Sequence, residues 1–208
     1  MMDVEYSLSD FKQKLFHVEN ILRSTMTDER YIPKADKWRN TDSFSTYKNF
    51  IDCHEVFPNI IIGNIYAARS KPFLKDIGVT HVLNCALNHC LTYNDMKFDQ
   101  EYYQDYKIKF KGLELDDICT ENIARYFDES IEFIDDAMKN GGKILIHCLA
   151  GISRSATITI AYLMKQHSMT IEDAIKIVKQ NRRVYPNEGF LKQLVELDFK
   201  LRKQSVNR

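Results

Sequence analysis

The chain is poor in the residues that break or cross-link a fold. Of 208 residues, only 4 are proline and 7 are glycine, so a collagen-like or low-complexity architecture is excluded. The 5 cysteines are odd in number and include no Cys-x2-Cys pair, which speaks against a disulfide framework and for a reducing compartment, cytosol or nucleus. Neither charge is in excess, with 29 basic and 29 acidic residues, so the basic surplus expected of a nucleic-acid or anionic-membrane binder is missing. No apolar run approaches the length of a membrane span. Met1-Met2-Asp3-Val4-Glu5 offers neither the basic and apolar regions of a secretory signal nor a glycine for myristoylation, so neither is expected. His81, Cys85, His89 and Cys90 fall close together but match no common zinc spacing, and no metal or other cofactor is expected. There is no internal repeat and no strong basic cluster.

What is present is a hydrophobic content of 44%, enough for a sizeable core, and one run that carries chemistry. Ile144-Leu145-Ile146-His147-Cys148-Leu149-Ala150-Gly151-Ile152-Ser153-Arg154-Ser155 reads as a buried strand, a tight loop and the start of a helix. A thiol is a poor nucleophile and a thiolate a good one. The helix N-terminus, the loop N–H groups and Arg154 would all favour the thiolate at Cys148. The N–H groups of Leu149, Ala150, Gly151, Ile152 and Ser153 would also bind the oxygens of a phosphoryl group, with Arg154 adding a bidentate contact. Gly151 suits a close backbone approach or a positive φ. Ser155 can donate to the sulfur and help it leave, and His147 orients the loop by hydrogen bonding. The plain alternative, a buried structural cysteine, does not account for strand, cysteine, glycine, arginine and helix in this order.

The spacing Cys-x5-Arg-Ser after a histidine resembles the signature of cysteine-dependent phosphatases, and its form here is similar to the dual-specificity branch. Glu55-Val56, Ile62-Gly63-Asn64, Thr80-His81-Val82-Leu83-Asn84, Ala161-Tyr162-Leu163-Met164 and Asn181-Arg182 with Pro186-Asn187-Glu188-Gly189-Phe190-Leu191 extend the resemblance over residues 54–204. They look like the small atypical dual-specificity protein phosphatases of the vaccinia-H1-related type. The resemblance implies a protein-tyrosine-phosphatase-like α/β fold and hydrolysis of phosphotyrosine and phosphoserine or phosphothreonine through a cysteinyl-phosphate. It implies a general acid in the loop after Leu115. Counting back from Arg125-Tyr126-Phe127 selects Asp117 over Asp116, which is left as a loop cap. It also implies that Asn84 buttresses the loop. Arg182 has two readings: contact with a second phosphate on the substrate, as the resemblance implies, or a cation at the end of the preceding helix. The implied partners are phosphorylated proteins, a MAP kinase among the candidates, with no nucleic acid or membrane and with a homodimer as a candidate assembly. Cytoplasm is the expected location, with the nucleus as a second.

Strands alternating with helices give, independently, an α/β domain with a mostly parallel central sheet flanked by helices. Residues 1–53 read as an extension. One amphipathic helix there is capped by Ser9 and carries Phe11, Leu15, Val18 and Leu22 on one face, with a polar, mobile stretch following. The extension is too short for the rhodanese-like docking domain of the MAP kinase phosphatases. Residues 54–204 form the catalytic domain and 205–208 a tail. Residues 56–64 read as a single opening strand, 67–77 as one helix, 80–84 and 108–115 as strands, and 122–140 as a helix. Lys143 to His147 is the central strand, Arg154 to Gln166 a buried helix, and Thr170 starts a capped helix ending near Asn181. Cys119 is either an ordinary loop thiol or a resolving partner for Cys148. The uncharged loop positions Leu149, Ala150, Ile152 and Ser153 disfavour the alternative substrates, phosphoinositides and RNA 5′-phosphates. A non-catalytic phosphoprotein-binding scaffold is the alternative outside enzymology.

Overall fold

The computed structural model describes residues 6–28, 51–90, 99–139 and 141–206. Pro33, Trp38 and Tyr93, and most of the expected polar stretch after the first helix, lie outside these residues.

Among the described residues, five strands form one sheet: β1 (Cys53–Phe57), β2 (Ile60–Gly63), β3 (His81–Asn84), β4 (Lys109–Gly112) and β5 (Ile144–His147), in the order β1-β2-β5-β3-β4. Only β1 runs antiparallel to its neighbour. β5 is central and β2, β3 and β5 are buried along their whole length, as expected of parallel strands covered by helices. Their sequences accordingly read as continuous apolar runs rather than alternations.

The helices are α1 (Leu8–Ser24), α2 (Ile65–Arg69), α3 (Lys71–Asp76), α4 (Leu87–Cys90), α5 (Gln100–Gln104), α6 (Phe127–Lys139), α7 (Arg154–Gln166), α8 (Ile171–Asn181) and α9 (Glu188–Val206). α7 follows the central strand and is buried from Arg154 through Met164, so it is apolar or internally bonded all round. Thr157 and Thr159 manage this by donating their hydroxyls to the carbonyls of Ser153 and Ser155.

α1 packs on α8 and α9, with Val18, Ile21 and Leu22 buried. Lys14 Nζ lies 2.6 Å from Glu172 and 3.1 Å from the buried Asp198, and Asp198 also accepts the Ile171 N–H at the start of α8. Beyond α1, the Asp28 N–H reaches the Gln180 carbonyl at 2.6 Å.

Several local expectations need correction. The cap of α1 is Ser7, in a reciprocal box with Asp10, and Ser9 lies inside the helix. Residues 56–64 are a hairpin, because Asn59 takes a positive φ of 64° after Pro58 and turns the chain between β1 and β2. Residues 67–77 break at Ser70, where Pro72 starts a second helix. α6 is preceded by a 3-10 turn, Ile123–Tyr126, and β4 is shorter than expected.

Candidate active site

The segment from His147 to Arg154 links the carboxyl end of the central strand to the N-terminus of α7, the usual place for a ligand in a parallel sheet. Cys148 is 2% exposed. Its Sγ receives the Gly151 N–H at 3.2 Å and the Ser155 hydroxyl at 3.4 Å. Burial pushes the thiol up, but the Ser155 hydroxyl and N–H, the Arg154 charge and the Ile152 N–H outweigh it and bring Cys148 below the ordinary thiol value. Ser153, which precedes α7, does not cap the helix with its side chain. Of the first-turn donors, the Ser155 N–H is directed at the sulfur.

The loop carbonyls are held from outside. The Leu149 carbonyl accepts the Ile65 N–H at 3.1 Å, and the Ile152 carbonyl accepts the Tyr185 N–H at 2.9 Å. His147 Nδ1 donates to the Cys148 carbonyl at 3.2 Å, which fixes the proton on Nδ1 because a carbonyl only accepts. Burial lowers the His147 pKa to about 4, so the ring is neutral at pH 7. Gly151 takes a φ of +69°, and a Cβ there would meet the Gly63 carbonyl oxygen at 2.5 Å. The glycine is required twice, for conformation and for space.

Arg154 is buried and donates through Nη1 to the Leu115 carbonyl at 3.0 Å. Its Nε lies 3.5 Å from Asp117 Oδ2, an ion pair rather than a hydrogen bond. Asp117 Oδ1 accepts the Ser153 hydroxyl at 2.7 Å and the Asn187 amide at 2.9 Å. Asp117 thus stands over the loop, joined to it by two partners. Asp116 points elsewhere, to His89 Nε2 at 2.8 Å. Asn84 is fully buried at the end of β3, beside His147 in the sheet register, and its Oδ1 accepts the Ala86 N–H.

Arg182 departs from both expectations. It is 2% exposed and points inward, donating to Gly151 O, Ala150 O, both oxygens of Asp52 and His54 Nδ1 at 2.8–3.1 Å. It therefore offers no face to a second phosphate, and its guanidinium does not serve the α8 carbonyls. Burial beneath the loop, which residue order does not reveal, is the physical reason. Asn187, Asp52, Tyr185 and Ile65 are site-supporting residues missed from the sequence. Only the Pro186-Asn187 turn gave a local signal.

Cys119 is exposed and lies against Gly189, whereas the buried Cys85 is the thiol that shares its electrostatic environment with Cys148; burial pushes Cys85 well up. Ile118, Ile152 and Tyr185 are exposed apolar side chains. His81 is bonded to Asp136. Among the described residues no cluster could hold a metal ion, and no helix is long and apolar enough to cross a membrane.

A family model of the dual specificity phosphatase catalytic domain matches residues 60–200. A variant of human DUSP28 is similar in structure, with 25% identity, a TM-score of 0.64, and coverage of 73% of this chain and 97% of that one. DUSP15 is 29% identical with a TM-score of 0.61, covering 75% and 96%. Human tyrosine phosphatase-like serine/threonine/tyrosine-interacting protein is 31% identical with a TM-score of 0.61, covering 71% and 96%. With a thiolate-favouring loop at the head of α7, a buried arginine and a family match over most of its length, the chain belongs to the dual specificity phosphatases of the protein tyrosine phosphatase superfamily.

Proposed function

We propose that this phosphatase hydrolyses phosphotyrosine and phosphoserine or phosphothreonine in proteins through a cysteinyl-phosphate. The observation that carries the reading is the meeting of Arg154 and Asp117 at the Cys148 loop, although Asp117 comes from the loop that follows β4 at the far edge of the sheet. Cys148 Sγ attacks phosphorus while Arg154 and the loop N–H groups hold the non-bridging oxygens. Asp117 gives its proton to the departing oxygen, and the resulting carboxylate then takes a proton from the attacking water. The S–P bond breaks with its electron pair returning to sulfur, and Ser155 donates to that sulfur as it leaves.

The exposed, uncharged Ile152 and Tyr185 beside the loop suit a peptide better than a polyanionic headgroup. Phosphorylated proteins, a MAP kinase among the candidates, are the proposed partners. The odd number of cysteines, with no Cys-x2-Cys pair, supports a reducing compartment, the cytoplasm with the nucleus as a second. The similarity to a phosphatase-like interacting protein gives a binding role a specific footing as the second reading.

The test is hydrolysis of matched phosphotyrosine, phosphothreonine and bisphosphorylated peptides, beside a phosphoinositide, by wild type and Cys148→Ser. Peptide turnover that vanishes in Cys148→Ser is the expected result. Binding without turnover would establish the scaffold instead, and cleavage of the lipid alone would replace the protein substrate.

A further inference from the structure

The phosphatase reading rests on loop N–H groups that face the sulfur, and Arg182 holds the opposite side of the same peptides. A trans peptide sets its C=O and N–H on opposite sides of the chain. The carbonyl of Ala150 shares a peptide with the N–H of Gly151, and the carbonyl of Gly151 with the N–H of Ile152. Arg182 Nη2 donates to the first carbonyl at 3.1 Å and Nε to the second at 2.8 Å. Across the peptide, the Gly151 N–H meets Cys148 Sγ at 3.2 Å. We propose that Arg182 is a positioning residue, which grips the carbonyls of Ala150 and Gly151 from behind and so turns the N–H groups of Gly151 and Ile152 toward the sulfur and its phosphoryl group.

The chemistry of the clamp suits arginine alone. A guanidinium has five N–H donors in a rigid fork. Here Nε serves Gly151, Nη1 serves Asp52 Oδ1 and His54 Nδ1, and Nη2 serves Asp52 Oδ2 and Ala150. Every donor direction is used. A guanidinium only donates, so His54 Nδ1 is an acceptor here. Asp52 balances the Arg182 charge, so the clamp acts on Cys148 through peptide orientation rather than net charge. The loop is also pressed against it, since a Cβ on Gly151 would lie 2.8 Å from Arg182 Nη2.

The test follows alkylation of Cys148 by iodoacetamide against pH, with peptide mapping to separate it from Cys119, and protection by inorganic phosphate. Arg182→Lys keeps the charge and loses the fork. It is expected to raise the alkylation midpoint by about one pH unit and to weaken phosphate protection about tenfold, the loss of one hydrogen bond to a charged acceptor. Asp52→Asn loosens the fork at a partly exposed position and decides the matter if Arg182→Lys melts early. On charge alone, Asp52→Asn would lower the midpoint and tighten phosphate. Through the clamp it raises the midpoint and weakens phosphate. Folded variants with a wild-type or lowered midpoint would overturn the inference and leave the phosphatase reading standing. Wild-type Cys148 with an ordinary thiol midpoint and no phosphate protection would overturn both.

Discussion

The side-chain amide of Asn187 donates to Asp117 Oδ1 across 2.9 Å while its oxygen accepts the Phe190 N–H at the start of α9. One residue thus caps a helix and holds the proposed acid. Asn187→Ser keeps a helix-capping acceptor and loses the amide that reaches Asp117. Its melting temperature should stay close to wild type, while kcat falls about tenfold for one lost bond to a carboxylate. Asn187→Ala should lower both. Steady-state kinetics beside thermal melts separate the two effects.

The two neighbouring carboxylates should behave very differently. Asp117 faces Arg154 and Ser153, whereas Asp116 is bonded to His89 at the surface. Asp117→Asn should lower kcat by about 10²–10⁴. Asp116→Asn should leave it close to wild type. The reverse pattern would move the acid by one residue.

Ser155 should matter most after the first chemical step. Its hydroxyl helps hold Cys148 below the ordinary thiol value against the effect of burial, so removing it raises the pKa. Ser155→Ala should shift the alkylation midpoint of Cys148 to higher pH. The sulfur also becomes a poorer leaving group, and rapid-quench kinetics should show a burst followed by slow turnover.

His147 makes stability sensitive to acid. Burial lowers its pKa from 6.5 to about 4 in the folded protein. Between those values the unfolded chain binds more protons than the folded one, so stability falls as pH drops from 6.5 toward 4 and His147 costs nothing further below that. The full contribution is on the order of 3 kcal/mol. Urea titrations at stepped pH should show this slope. His147→Asn, which can still donate to the Cys148 carbonyl, should remove that part of it.

The N-terminal helix should stabilise the domain without touching the chemistry. Leu22 is 1% exposed on the inner face of α1, and truncation to alanine should cost about 2–4 kcal/mol in urea denaturation. KM for a small aryl phosphate should not change. An equal loss in KM would tie α1 to the site.

The loop from Cys148 to Ser155 is legible in the sequence because its parts are contiguous: a short apolar strand, a glycine with a forced conformation and an uncapped helix start. α7 is legible to both ends for the same reason. Ser7 was missed because Ser9 two residues later is an equally good cap by residue type, and only the reciprocal bond to Asp10 decides. The break at Ser70 was missed because the apolar pattern continues through Pro72. Arg182 could not be placed at all. Its partners Asp52, His54, Ala150 and Gly151 are distant in the chain, and a cation near a helix end looks the same whether it faces water or lies beneath a loop.

The holders of the loop have a direction in time. Ile65, Asp52 and His54 precede Cys148 in the chain, but Arg182, Tyr185 and Asn187 follow it. During synthesis the cysteine emerges before half of its supports have been translated. Until residue 187 has left the ribosome, the loop has its own Gly151 and Ser155 and the earlier Ile65 to shape it. The full set of holders, with Arg182 behind the loop and Asn187 on the proposed acid, is complete only with the start of α9.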